Sequence, residues 1–173
     1  MTSIILKKHG FTIRRKDLVG DGIGISVGLW KKPKDWLSDV RMCPLDVGEY
    51  AEQPCGTQSS PDFIIRLSDT EVLALEAKSA KDPTPQYNSG GIKPDYLYVF
   101  TCSMYNQTTV YWGRDIITPE QQKVIDELIA QQKKLEQEAN IKLSELDKNH
   151  RGISYYTRPM ITQSGGKEKT SYL

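Results

Sequence analysis

The sequence predicts a single α/β domain in which a β-sheet is followed by one long helix near the C-terminus. A chain of 173 residues has the length for one hydrophobic core. Short apolar runs rich in β-branched and aromatic residues occur between residues 61 and 118, and a helical repeat of apolar residues follows them. With 38% hydrophobic and 26% charged residues, the composition is that of an ordinary globular protein.

Residues 1–60 predict a hairpin followed by an irregular segment. Residues 11–18 and 23–30 flank Gly20-Asp21-Gly22, a glycine-containing turn of the kind that joins two strands. Between residues 31 and 60 the chain is rich in proline, glycine and acids, which favours irregular structure with one short helix or strand.

Residues 61–118 predict the sheet. Apolar runs at 63–67 and 72–78 are separated by the turn residues SDTE, and two further runs at 96–102 and 109–113 are joined through SMYNQT. Each pair of runs is predicted to form a hairpin.

Residues 119–149 predict one helix, and 150–173 a basic arm. Thr118-Pro119 supplies an N-cap and a first-turn proline, and the helical pattern runs to about residue 148. The apolar stripe is thin, which fits either packing on the same chain or a short coiled-coil contact between subunits; we favour packing on the same chain. The stripe consists of Ile125, Leu128, Leu135, Ala139 and Leu146.

Targeting and redox features indicate a cytoplasmic protein. No run of about 18 apolar residues is present, and the opening MTSIILKKHG is too short and too soon charged for a secretory leader. Cys43, Cys55 and Cys102 are widely spaced, without the separation typical of zinc or redox motifs. We therefore expect reduced structural thiols and no membrane partner.

The charge distribution is more informative than the net charge of +1. Residues 61–118 carry five Lys or Arg against seven acids, whereas 150–173 carry four against one. An acidic centre beside a basic flank suits a metal site that must also hold a polyanion.

The apolar run at 72–78 ends in charge, at Glu76 and Lys78. Side chains two residues apart in a strand share a face, so this acid and this lysine are adjacent on one surface. Buried charges are costly unless they are paired. A hairpin through SDTE places Asp62 opposite about residue 76, so two carboxylates and one ammonium group converge at its end.

Such a set has a specific use in phosphodiester hydrolysis. Carboxylates are the hard oxygen ligands that Mg²⁺ prefers, and substrate phosphate oxygens can complete its octahedron. The metal polarises the phosphate and lowers the pKa of a bound water, while the lysine orients that water or offsets developing charge. The structural alternative is a salt bridge at a sheet edge, which the preceding apolar strand disfavours because surface strands alternate.

Pro61-Asp62, thirteen intervening residues and Glu76-Ala77-Lys78 resemble the signature of the PD-(D/E)xK nucleases, and most of all the type II restriction endonucleases. The resemblance implies a restriction-endonuclease-like core with a mixed central sheet flanked by helices, a homodimer, and Mg²⁺-dependent, sequence-specific cleavage of double-stranded DNA. It places the metal at Asp62, Glu76 and the Ala77 carbonyl, and makes Lys78 the catalytic lysine. It leaves open whether a cognate DNA methyltransferase acts on the same site.

Two segments are predicted to contact DNA. The polar loop after the catalytic strand offers groups suited to base edges and phosphates, although the same residue types also form turns. Its residues in this role are Gln86, Tyr87, Asn88, Ser89 and Lys93. We expect the helix to bring the basic arm back beside the catalytic cleft. The arm adds Arg151, Tyr155, Arg158, Lys167 and Lys169.

Other functions remain open on the same fold. A structure-selective nuclease of DNA repair or phage DNA processing would use the same three charged residues. A catalytically silent DNA-binding module is disfavoured because a binder has no need of all three. The upstream acids Glu49 and Glu52 are interpreted as solvated loop residues, with a further metal ligand as the alternative.

Overall fold

The computed structural model describes residues 6–13, 32–55, 59–88 and 91–163. Of the predicted hairpin over 11–18 and 23–30, residues 11–13 are described and include a strand at Thr12–Ile13, whereas the remainder falls on residues 14–31 and lies outside the described residues. The predicted DNA contacts Ser89, Lys167 and Lys169 also lie outside them.

The chain forms a mixed six-stranded sheet, as predicted. The strands in spatial order are β1 (Thr12–Ile13), β2 (Glu49–Glu52), β3 (Phe63–Arg66), β4 (Val72–Ala80), β6 (Leu97–Cys102) and β7 (Gln107–Trp112). The pairs β1–β2 and β4–β6 are parallel, and the other pairs are antiparallel. The crossover from β4 to β6 contains β5 (Gln86–Tyr87), which pairs with β8 (Ile161–Thr162) in a separate ribbon.

Both predicted hairpins of the sheet are confirmed. In the first, Phe63 of β3 is the partner of Leu75 in β4, and just beyond this pair the N–H of Asp62 donates to the carboxylate of Glu76. In the second, β7 begins at Gln107, two residues earlier than predicted, because Gln107 and Thr108 continue the ladder with β6. The sequence prediction assigns these two polar residues to the turn SMYNQT.

Apolar side chains cover both faces of the sheet, which explains why β4 does not alternate between polar and apolar residues. One face carries Tyr50, Phe63, Ile65 and Leu75. The other face packs against helix α1 (Asp35–Ser38) through the buried Trp36, and against a cluster of tyrosines and isoleucines. That cluster comprises Ala74, Tyr87, Ile92, Tyr96, Tyr98 and Ile117.

Helix α2 (Pro119–Leu146) begins at the predicted N-cap. The hydroxyl of Thr118 accepts from the backbone N–H of Gln121, and the side chain of Gln121 accepts from the N–H of Thr118. None of its residues is buried. Leu128 and Leu135 are 53% and 65% exposed, so most of the predicted apolar stripe does not cover the sheet.

The helix contacts its own chain in two ways. Ile125, one turn and a half from its start, packs against the tyrosine cluster. Further along, the polar residues Glu136 and Asn140 bind the returning arm rather than the sheet. These two polar side chains interrupt the apolar stripe. The backbone of an extended segment supplies the hydrogen-bond partners that they need, which an apolar surface could not do.

Among the described residues, no helix combines the length and the apolar character that crossing a membrane requires. All three cysteines are free, and Cys43 and Cys102 are buried, in agreement with the predicted structural thiols.

Candidate active site

Asp62, Glu76 and Lys78 meet at the end of the β3–β4 hairpin. The ammonium group of Lys78 donates to Oε1 of Glu76 at 2.7 Å. The backbone N–H of Asp62 donates to Oε2 of Glu76 at 3.1 Å, and the N–H of Ala77 donates to Oδ2 of Asp62 at 2.9 Å. The three charged residues proposed from the sequence therefore form one continuous hydrogen-bonded set.

Backbone contacts on both sides hold Asp62 in place. Its carbonyl accepts from the N–H of Gln53, at the end of β2, at 2.6 Å. Its carboxylate accepts from β4, as described above. Asp62 thus lies between two strands with its orientation set by main-chain groups.

Glu76 is the buried acid of the site, with 5% of its surface exposed. Burial raises the pKa of its carboxyl group, and the neighbouring charge of Asp62 acts in the same direction. The hydrogen bond and the charge of Lys78 lower the pKa but do not cancel the effect of burial. A nearby opposite charge favours the ionised form of a carboxyl group, so the ion pair with Lys78 supports the Glu76 carboxylate in this poorly solvated place.

Tyrosine rings form the wall beside Glu76. Tyr98 is its neighbour on β6, and its ring contacts Tyr87 edge-on at 5.3 Å and stacks on Tyr111 at 5.6 Å. Burial raises the pKa of Tyr96 to about 12 and also raises that of Tyr98, so both phenols are neutral. Tyr98 and Phe100 both belong to the buried core.

Carboxylate oxygens are the ligand type that a hard cation such as Mg²⁺ takes in proteins, and the site brings two carboxylates together. Carboxylate oxygens of Asp62 and Glu76 lie on one face, and within the described part of the chain Oδ1 of Asp62 accepts no protein hydrogen bond. The described residues contain no group of three or more acids, histidines or cysteines that could hold a metal. The Ala77 carbonyl, water and phosphate oxygens would therefore have to supply the other ligands.

The upstream acids do not join this set. Glu52 is paired with Phe63, one position away from Asp62, so it lies on the opposite face of the sheet. Oε2 of Glu49 accepts from the N–H of Asp46, at the other end of β2.

Among the described residues of the predicted DNA loop, Asn88 reaches the set formed by Asp62, Glu76 and Lys78. Oδ1 of Asn88 lies 3.5 Å from the ammonium group of Lys78. Gln86, two residues before Asn88, is exposed on β5. The predicted DNA contact of Tyr87 needs correction, because its side chain is fully buried and its hydroxyl is bonded to Tyr111 and Gln163.

Lys93 lies on the helix side of the molecule. Its backbone N–H donates to the hydroxyl of Tyr98 at 2.9 Å. Burial lowers the pKa of its ammonium group, Asp126 raises it, and Lys34 and Lys133 lower it further. A phosphate contact of Lys93 stays a prediction, in a group of three lysines that lies apart from Asp62, Glu76 and Lys78.

The basic arm returns toward the site, but its residues are spread along α2. Arg151 lies at the far end of the helix, where its N–H donates to Asp147. The arm reaches β5 only at Ile161–Thr162. From residue 147 back to residue 125 the helix rises about 33 Å. Exposed Tyr155 and Arg158 lie between these ends, and their contact with DNA stays a prediction.

Sequence reasoning missed Gln163, whose side chain accepts from the hydroxyl of Tyr87 at 2.7 Å. The two residues are 76 positions apart, and no local periodicity links them.

No family model, curated protein or solved structure that was compared with the chain matches it.

Proposed function

We propose that the protein is a type II restriction endonuclease that hydrolyses phosphodiester bonds of double-stranded DNA at a specific sequence and requires Mg²⁺. The observation that carries the proposal is the hydrogen-bonded set of Asp62, Glu76 and Lys78 at the end of a buried hairpin. A restriction-endonuclease-like core belongs to the same proposal. It is supported by the mixed sheet, in which the acid-bearing strand β4 lies at the centre.

In this proposal the two acids hold the metal and Lys78 acts on the reacting groups. Bound Mg²⁺ supplies a Lewis acid and a water of lowered pKa. Lys78 has three N–H donors. Within the described residues, Glu76 and Asn88 take up two of them, which leaves the third for a water or a phosphate oxygen. The Ala77 N–H fixes the Asp62 carboxylate, so the acid need not reorient when substrate binds.

A structure-selective nuclease is the second candidate, and the burial of Tyr87 favours it. Site-specific enzymes need several groups at base edges, whereas structure-selective ones rely mostly on phosphate contacts. Removing Tyr87 from the DNA surface leaves fewer base-reading groups in the loop. A catalytically silent DNA-binding module is disfavoured by the intact set of two acids and a lysine.

The homodimer is part of the same proposal, and the exposed side of α2 supports it. Val124, Leu128 and Leu135 are 66%, 53% and 65% exposed. They lie along one side of the helix, with the two leucines seven residues apart as in a coiled-coil seam. A cognate methyltransferase remains a further proposed partner.

The products formed from mixed DNA test the proposal. Purified protein is incubated with a panel of plasmid and phage DNAs in Mg²⁺ and, as the control, in EDTA. Discrete bands that need Mg²⁺ are expected of a restriction endonuclease. A smear, or cleavage confined to branched DNA, would favour the second candidate, and intact DNA under all conditions would contradict both.

A further inference from the structure

The described part of the arm, residues 151–163, runs back along α2 as an extended segment, which we call the strap. It is fastened to the helix at intervals. Asp147 accepts from the N–H groups of Arg151 and Gly152. Asn140 exchanges two hydrogen bonds with the backbone of Tyr155. Glu136 accepts from both the N–H and the hydroxyl of Thr157.

The strap ends on the segment that carries Asn88. Strand β8 pairs antiparallel with β5, and the N–H of Gln163 donates to the carbonyl of Pro85 at 3.1 Å. The side-chain oxygen of Gln163 accepts from the hydroxyl of Tyr87 at 2.7 Å. This hydroxyl also lies 2.8 Å from that of Tyr111, on the edge strand β7. Tyr87 is thus held by the sheet on one side and by the strap on the other.

The strap also contacts the chain beyond Asn88, at Gly91. Gly91 has a φ of +85°, which favours glycine, and a Cβ at this position would lie 2.7 Å from Cδ1 of Ile161. Ile161 packs in the tyrosine cluster together with Ile125 of α2. The strap therefore contacts Tyr87, before positions 89–90, and lies against Gly91, after them.

We propose that Gln163 and Ile161 are positioning residues, which hold Tyr87 and Gly91 so that Asn88 faces the ammonium group of Lys78. The inference rests on the proposed function, in which Asn88 and Lys78 lie at the DNA. Tyr87 is the immediate neighbour of Asn88 and is fully buried, so fixing its ring and hydroxyl fixes the backbone from which Asn88 projects. The strap thereby links the C-terminal region to the active site.

The two Gln163 variants separate the effect of losing the hydrogen bond to Tyr87 from the effect of changing the size of the side chain. Gln163→Leu keeps the approximate size but removes the acceptor for Tyr87, whereas Gln163→Glu retains an acceptor oxygen. Gln137→Leu, at an exposed position of α2, is the matched control. Tyr87→Phe removes the donor of the same bond and provides a second test that does not alter the strap.

Two measurements are made on the full-length variants. The side-chain amide resonances of Asn88 report its environment by NMR without any need for activity. Cleavage kinetics report kcat and KM separately. Misplacement of about 1 Å can reduce a rate by up to about a hundredfold, so we expect kcat to fall about tenfold in Gln163→Leu with little change in KM.

The expected result is a shift of the Asn88 resonances in Gln163→Leu and Tyr87→Phe, and wild-type positions in Gln163→Glu and Gln137→Leu. The double variant Tyr87→Phe/Gln163→Leu should be no worse than Tyr87→Phe, because Tyr87→Phe already removes the bond to Gln163 in addition to the bond to Tyr111. Unchanged Asn88 resonances in both single variants would overturn the inference. If wild-type protein cleaves no DNA, the proposed function fails, whereas the NMR result still decides the role of the strap.

Discussion

Replacing Lys78 with Met is expected to destabilise the fold, and to do so more at high pH than at low pH. The side chains of Lys78 and Glu76 are only 12% and 7% exposed, and their charged atoms are 2.7 Å apart. At that distance, the attraction is about 6 kcal/mol for an effective dielectric constant of about 20. Desolvation offsets much of this gain, so removal of one partner costs about 3 kcal/mol.

The pH dependence follows from the pKa of Glu76. Burial already raises this pKa, and Lys78 is the group that lowers it most, so the variant raises it further. A carboxyl group whose pKa is higher in the folded than in the unfolded state destabilises the folded protein when it ionises. The free energy of unfolding therefore falls as pH rises from the unfolded pKa through the folded pKa. Below the unfolded pKa, where Glu76 is neutral in both states, this loss is absent.

Urea unfolding at pH 5 and pH 8 measures the effect. The free energy of unfolding of Lys78→Met should fall by about 3 kcal/mol at pH 8 and by clearly less at pH 5. Lys81→Met, at an exposed position after the same strand, is the control and should unfold like wild type at both pH values. An equal loss at pH 5 and pH 8 would refute the assignment of Glu76 as the buried, destabilised charge.

Three further results are expected. Asp62→Asn should bind duplex DNA at least as tightly as wild type in EDTA, because repulsion from phosphate is relieved. The control Asp69→Asn, in the exposed hairpin turn, should not change binding. Weaker binding by Asp62→Asn in a fluorescence titration would count against an acid facing DNA. Arg158→Ala should reduce the slope of log K against log[salt] by about 0.9, and an unchanged slope would remove this residue from the phosphate contacts. Leu128→Asp/Leu135→Asp should shift a dimer to monomer in sedimentation velocity, whereas a variant with the mass of wild type would place any dimer contact elsewhere.

The part of the fold that was predictable depends on contacts that are local in sequence. Asp62 and Glu76 are brought together by one short hairpin, whose apolar runs and turn residues define the register within a single segment. The start of α2 was equally predictable, because Thr118 and Pro119 act on the first turn of their own helix.

The rest depends on contacts between distant segments. Tyr87 lies in the polar stretch PTPQYNSGG, which has the composition of a loop, and only Tyr111 and Gln163 reveal it as a core residue. The pairing of β5 with β8 involves two residues on each strand, too few to produce a pattern. The helical period of α2 was predicted correctly, yet Leu128 and Leu135 are exposed. The period alone does not tell which residues of a helix a neighbouring segment will cover.

The most direct test of the central claim is the Mg²⁺-dependent cleavage rate of Glu76→Gln on a DNA that wild-type protein cuts. Glutamine keeps the size of the side chain and an oxygen for Lys78, but it removes the carboxylate. The account predicts a fall of at least about a hundredfold, since a metal ligand is lost, with Asp69→Asn cleaving like wild type. Cleavage by folded Glu76→Gln within tenfold of wild type would contradict the account.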